Sequence, residues 1–223
     1  MNKIYQQTII NPVNFAGVGL HSGKKSKITI LPGKEDNGII FKRVDVKKNN
    51  EIKANFKNVS SAKLCTTLEN KFGVKVSTVE HLLAALYIAE IDNAIIEINN
   101  EEVPIMDGSS KVFFDELKKV KKIELNKKRK YLKILSKVEL LEGEKLISID
   151  TSDNSFEVEF QLNYKNKLIS NQKNLINFQK DDLSDVIESR TFCLYEDIEA
   201  IKKSGLAKGG SLDNAIVVKY KEI

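Results

Sequence analysis

The chain has 223 residues, 41% of them hydrophobic and 30% charged, with a formal net charge of +5. That length can bury a real core in one large domain or two small ones, and the balance excludes a disordered or fibrous chain. Cys65 and Cys193 are the only two cysteines, too few for a disulfide framework, and the opening Met1-Asn2-Lys3-Ile4-Tyr5 has no apolar secretory leader. The longest helical apolar run, Leu82 to Ala89, is too short to span a bilayer. A cytoplasmic protein without stable membrane insertion is expected. The positive charge does not read as a nucleic-acid surface. Only three of the 36 basic residues are arginines (Arg43, Arg129 and Arg190), and the densest basic stretch, Lys118 to Lys130, has no aromatics for base stacking. That stretch reads as a solvated helix end and a linker, and the charge would equally serve an anionic small-molecule substrate.

In chain order, Ser26–Leu31 alternates like a strand and ends at Pro32-Gly33; Gly38–Lys42 follows the turn-like Glu35-Asp36-Asn37. A helix is predicted from near Ser77 to about Ala89, with Leu82, Leu83, Ala85, Leu86 and Ala89 on its apolar side. Asn93–Ile98 is predicted as a strand and Ser110 to about Lys121 as a helix with Val112, Phe113, Leu117 and Val120 inward. The polar segment Asn126–Lys130 marks the expected domain boundary. Beyond it, strands are predicted at Tyr131–Val138, Lys145–Asp150 and Phe156–Tyr164, helices at Asp181–Glu188 and Glu196–Ser204, and a final strand at Asn214–Val218. Strands followed by helices in each half give an α+β fold of mainly antiparallel sheets layered with helices. The expected division is a first domain over 1–125, a linker over 126–130 and a second domain over 131–223.

The chain holds two histidines. His81 follows Glu80 at a helix start, where the pair could supply one metal ligand and a general base. The same residues also read as a capping box, with Ser77 as the cap and Glu80 reaching back, which would leave His81 without a special role. His21 sits in Gly17-Val18-Gly19-Leu20-His21-Ser22-Gly23, a loop whose N–H groups could cradle a phosphate or simply turn at a strand end. Glu102–Ser110 reads as a connection into a helix, with Asp107-Gly108 as a turn and Ser109 or Ser110 as the cap. Ser189–Cys193 and Lys208–Ala215 frame a helix, either as the lining of a channel or as a loop packed on the sheet.

Taken together and in order, Gly17–Gly23, Leu64–Thr67, Ser77–Leu86, Ile91–Asn93, Pro104–Ser109, Ser189–Phe192 and Gly209–Val218 make the sequence resemble the UDP-3-O-acyl-N-acetylglucosamine deacetylases. These are zinc enzymes of lipid A, and hence lipopolysaccharide, biosynthesis. The resemblance implies two α+β domains with the active site between them, and hydrolysis of the N-acetyl group of a UDP-3-O-(3-hydroxyacyl)-N-acetylglucosamine substrate. It implies that His81 is a ligand of Zn2+, Glu80 the general base and Thr191 a hydroxyl that stabilises the oxyanion. It further implies substrate-binding roles for Leu20, His21, Cys65, Phe192 and Gly210, with residues of about 193–213 forming the passage for the acyl chain. The family's remaining two zinc ligands lie in a His-Lys-x-x-x-Asp-like helix beyond the strand matching Ala215–Val218, so the 223-residue sequence is expected to be a fragment incomplete at its C-terminus. A non-catalytic relative that binds a nucleotide-sugar or an acyl chain is the alternative expectation.

Overall fold

A computed structural model describes residues 4–153 and 155–219. They form two compact units, one made of residues 4–128 with 184–219 and the other of residues 129–183. The sequence reading keeps 131–223 together. The structure instead returns the chain from 184 onward to the first unit, through contacts such as the Ser110 N–H on the Ile187 carbonyl at 3.1 Å.

In the larger unit the strands are β1 (Tyr5–Ile9), β2 (Val13–Val18), β3 (Lys25–Pro32), β4 (Ile39–Arg43), β5 (Glu51–Lys53), β6 (Val59–Ser61), β7 (Thr67–Glu69) and β8 (Lys75–Ser77). Helix α1 (Glu80–Ile88), β9 (Ala94–Ile98), α2 (Lys111–Lys119) and β10 (Lys122–Lys128) follow. A five-stranded sheet runs in the order β2-β3-β9-β4-β5, with β4 and β9 parallel and the other pairs antiparallel. Alternation puts one row of apolar side chains across it: Val13 opposite Ile30, Ile30 opposite Ile96, Ile96 opposite Phe41 and Phe41 opposite Ile52. These β-branched and aromatic cross-strand pairs are the stabilising unit of a sheet. All five are buried, in one core with Leu82, Ala85 and Leu86 of α1 and Phe113 and Leu117 of α2. Phe113 meets Phe15 edge to face, the centroids 5.0 Å apart. Because the sheet buries one face, strict alternation is kept where burial demands it.

The β1–β10 ribbon is pinned to this layer by the Asp92-Asn93 corner. Asp92 accepts the Gln7 N–H at 2.7 Å, and the Asn93 side chain donates to Gln6 at 2.9 Å and accepts the Gly38 N–H at 2.8 Å. The expected linker at 126–130 therefore begins inside a paired strand, since β10 runs through Lys128.

The smaller unit contains two hairpins, β11 (Val138–Glu142) with β12 (Lys145–Ile149) and β13 (Glu157–Asn163) with β14 (Asn171–Asn177). The predicted strand at Tyr131–Val138 is not formed. Most of its apolar side chains are open to solvent, Leu132 being 89% and Leu135 82% exposed, and within the segment no strand ladder forms before Val138. The hairpin strand lies one step further on, at β11.

After α3 (Ser184–Glu188), back in the larger unit, β15 (Phe192–Leu194) and β16 (Ile216–Val218) pair in parallel around α4 (Ile198–Lys203). The fold is thus α+β with mainly antiparallel sheets, as the sequence implies. Among the described residues no helix is long and apolar enough to cross a membrane.

Ile96 lies at the centre of the apolar row and is fully buried. Ile96→Ala is expected to lower the unfolding free energy by about 2–5 kcal/mol, through lost burial plus the cavity left behind. Urea denaturation followed by circular dichroism checks this. A loss below about 1 kcal/mol would mean that the core closes over the gap.

Candidate functional site

The start of α1 departs from the capping box. Ser77 ends β8, and its hydroxyl donates to the Glu101 carbonyl at 3.2 Å instead of capping the helix. Thr78 takes a left-handed conformation with φ +56°, Val79 occupies the cap position, and no side chain caps the helix. Glu80 is thereby freed from a capping role. Its Oε2 accepts the Thr66 N–H at 3.0 Å, from the loop between β6 and β7 that also carries Cys65.

His81 is mostly buried, and burial pushes its pKa below the ordinary histidine value against the opposing charges of Glu80 and Asp107. The neutral imidazole so favoured is the form that has a lone pair to give a metal. Asp107 stands in the 106–110 turn. Its Oδ1 accepts from the Ser109 N–H at 3.0 Å and hydroxyl at 2.8 Å, and its carbonyl accepts from Arg190 Nε at 2.6 Å. Next to it the Gly108 carbonyl accepts the Thr191 N–H at 2.8 Å, which fixes Thr191 to the same turn. Gly108 has φ +87°, and a Cβ there would strike the Asn214 carbonyl, so only glycine fits between the turn and the returning chain. The helix cap here is shared: Ser110 holds the cap position, while the Ser109 hydroxyl accepts the Lys111 N–H at 3.0 Å.

The glycine-rich loop has its anion built in. Glu102, only 2% exposed, accepts the His21 N–H at 2.8 Å, the Ser22 N–H at 2.7 Å and the Thr78 hydroxyl at 2.9 Å. The Gly19 and Gly23 N–H groups are taken by the Lys24 and Gly19 carbonyls at 2.9 and 3.0 Å. The phosphate cradle entertained from the sequence is therefore filled by a carboxylate of the chain itself. Gly19 is required for this, because a Cβ there would meet the Glu102 carboxylate and the Ser22 hydroxyl.

Of the expected site residues, Glu80 is anchored on the Thr66 N–H, His81 feels the charges of Glu80 and Asp107, and Thr191 is bonded to the Gly108 carbonyl. His21 lies beside Cys65, whose sulfur is the main influence raising the imidazole above its ordinary pKa, ahead of the Glu102 charge. Leu20 belongs to the loop held by the 207–210 turn: its carbonyl accepts the Gly209 N–H at 3.0 Å, and its side chain lies near Gly210. Phe192 opens β15, opposite Ile216. Sequence reasoning passed over Glu102 and Asp107 as members of the site. The available signal for Glu102 was an acid set before the apolar Val103-Pro104-Ile105 run, where a carboxylate must be either solvated or fully hydrogen-bonded.

Among the described residues no three His, Cys, Asp or Glu side chains converge to hold a metal ion. His81 is one nitrogen donor, and the described residues do not fit a complete three-ligand zinc centre.

Glu102→Gln places an amide NH2 against one of three donors that the carboxylate satisfies. An unfolding free energy lower by about 1–3 kcal/mol is expected in urea titration. An unchanged midpoint would show that the loop and Thr78 hold their places without the charge.

The sequence profile of the UDP-3-O-acyl N-acetylglycosamine deacetylase family matches residues 6–223. A UDP-3-O-acyl-N-acetylglucosamine deacetylase of Geotalea uraniireducens is 40% identical over 213 residues, covering 95% of this chain and 69% of the relative. Proteins of the same name are 36% identical in Phenylobacterium zucineum, over 96% of this chain and 74% of the relative, and 40% identical in Saccharophagus degradans, over 96% and 71%. With the match running through the glycine-rich loop, the start of α1 and the returning segment alike, the chain belongs to the UDP-3-O-acyl-N-acetylglucosamine deacetylase family.

Proposed function

We propose that this chain carries the general-base part of a deacetylase that hydrolyses the N-acetyl group of UDP-3-O-(3-hydroxyacyl)-N-acetylglucosamine, in the cytoplasm, as a step of lipid A biosynthesis. The observation that carries this reading is Glu80: a carboxylate released from helix capping, anchored through Oε2 on the Thr66 N–H and adjacent to His81. An acetamide is cleaved when water attacks its carbonyl carbon, a base takes the water's proton and a donor steadies the oxyanion. In this reading Glu80 takes the proton through its other oxygen. The Thr191 hydroxyl, positioned by the Gly108 carbonyl, donates to the developing oxyanion. The carboxylic acid so formed on Glu80 can return the proton to the departing amine, leaving acetate and a free amino sugar.

Zn2+ is the proposed cofactor, with His81 as one ligand and the remaining ligands outside the described residues. Bound there, it would polarise the carbonyl and acidify the water. Leu20, His21, Cys65, Phe192 and Gly210 are proposed to contact the substrate, the apolar members meeting the acyl chain. No nucleic-acid partner is part of this reading. The retained loop residues, Leu20 beside Gly210 among them, equally suit a second reading, a relative that binds the nucleotide-sugar or acyl chain without turning it over.

Acetate release and calorimetric binding, measured with UDP-3-O-acyl-N-acetylglucosamine and added Zn2+ on the same preparation, separate the two. The deacetylase reading expects turnover that falls by about 10²–10⁴-fold in Glu80→Gln while binding is kept. Binding without turnover in the parent favours the second reading, and the absence of both overturns the two together. Elemental analysis of the parent beside His81→Ala reports whether His81 holds zinc at all.

A further inference from the structure

Three turns meet at one end of the β6-β7-β8 sheet, and asparagine side chains hold them there. Asn70 donates to the Asn49 and Glu51 carbonyls at 2.7 and 2.9 Å, which draws the 44–50 turn against the 70–73 turn. Its Oδ1 accepts the Phe72 N–H at 2.9 Å and the Val74 N–H at 3.1 Å, so the 70–73 turn is itself fixed. Asn58 donates to the Lys53 carbonyl at 2.8 Å and ties the 55–58 turn to the end of β5. β6 leaves that turn and runs antiparallel to β7, with Val59 opposite Leu68. The 55–58 turn therefore lies at the end of β7 from which the 70–73 turn departs.

The side chains gathered at this end are of two kinds. Phe56 is 81% and Phe72 55% exposed. Lys47, Lys48, Lys53, Lys57 and Lys71 lie in or beside the same turns and are exposed too. Lys71 Nζ is 5.0 Å from the centroid of the Phe72 ring, and Lys57 Nζ is 6.0 Å from that of Phe56. Among the described residues none of these five lysines is within ion-pair reach of a carboxylate. Of the nearby acids, Asp45 is held by Arg43 at 2.7 Å and Glu69 stands 3.4 Å from Lys75, which leaves Glu51 against five lysines. A single exposed apolar side chain needs no explanation. Two exposed rings set among uncompensated cations fit a surface with an anionic outer layer and an apolar interior.

We propose that this end of the β6-β7-β8 sheet is a reversible docking surface for a bilayer rich in anionic phospholipids. Phe56 and Phe72 enter the boundary between headgroups and acyl chains, and the lysine ammonium groups reach back to the phosphates along their methylene stems. Lysines without an exposed arginine, and two rings set in separate turns, suit a diffuse anionic layer better than the bidentate and stacked contacts of a nucleic acid. The contact is peripheral and salt-dependent, not an insertion. It does not depend on the deacetylase reading.

The test is co-sedimentation of the intact chain with vesicles of phosphatidylcholine alone, and of phosphatidylcholine with about one third phosphatidylglycerol, at about 0.1 M salt. Partitioning onto the anionic vesicles is expected to be at least about ten-fold stronger than onto the neutral ones, and to be lost at about 0.5 M salt. Phe56→Ser with Phe72→Ser should weaken it about ten-fold, and Lys57→Gln with Lys71→Gln several-fold. The sequence contains no tryptophan, so Phe72→Trp is a single reporter of depth. Its emission should shift to the blue on anionic vesicles and be quenched by lipids brominated in the acyl chain. No binding to anionic vesicles, equal binding to both kinds, binding that neither substituted pair weakens, or an unmoved tryptophan spectrum would each overturn the proposal. Retention of single-stranded DNA without vesicle binding would assign the surface to a nucleic acid instead. A dimer that is lost in the phenylalanine pair, again without vesicle binding, would assign it to a second copy of the chain. If the phenylalanine pair fails to fold, the lysine pair and the tryptophan reporter decide the question.

Discussion

The buried carboxylate of Glu102 is the constraint around which the site is arranged. A carboxylate at 2% exposure is tolerated only when its oxygens are occupied, and here two loop N–H groups and the Thr78 hydroxyl occupy them. One end of this arrangement fixes the glycine-rich loop and with it His21. The other fixes Thr78 in its left-handed conformation, which turns the chain sharply out of β8 and starts α1 at Glu80. Neighbouring backbone bonds, Ser77 N–H to Glu101 carbonyl at 2.8 Å and Val103 N–H to Ser77 carbonyl at 3.1 Å, hold the segment of Glu102 against the same turn as an isolated parallel bridge. Placement of Glu80 and His81 therefore follows from a residue some twenty positions downstream.

A second contact layer joins the turn after β9 to the chain that returns at residue 184. Arg190 grips the Asp107 carbonyl, Thr191 bonds to the Gly108 carbonyl, and Asn214, 4% exposed, closes the 209–214 turn through its side-chain bonds to Ser211 and Gly209. The absence of a side chain at Gly108 lets these two backbones approach. Thr191 thus owes its position to a close packing of main chain on main chain.

The two histidines show how burial and neighbours divide one residue type. His81 is desolvated without a close proton-sharing partner and is driven toward the neutral form; His21 has a sulfur and a carboxylate for neighbours and is driven toward the charged one. The two cysteines also diverge: the His21 imidazole draws the Cys65 thiol down, whereas burial, and after it the Asp197 charge, pushes the Cys193 thiol up. Identical side chains are thereby suited to different chemistry within a single compact unit.

What the sequence determined by itself was local or additive. Period-two alternation marked β3, β4 and β9, because a half-buried strand must keep its apolar residues on one side, and the apolar side of α1 and α2 was legible for the same reason; β13 carries the same alternation although most of its apolar side chains stay exposed. The order of short segments pointed to the family before any contact was known. Alternation failed at Tyr131–Val138, where pairing was decided by a partner strand that local sequence does not specify. The capping box at Ser77–Glu80 failed because Glu102, remote in sequence, offered Thr78 a better acceptor and left Glu80 to Thr66. Return of residues 184–219 to the first unit, the Glu102 anion inside the glycine loop and the meeting of His21 with Cys65 were likewise decided only by tertiary structure. Each depends on hydrogen bonds or close approach between segments some twenty to more than a hundred residues apart, and no local propensity encodes them.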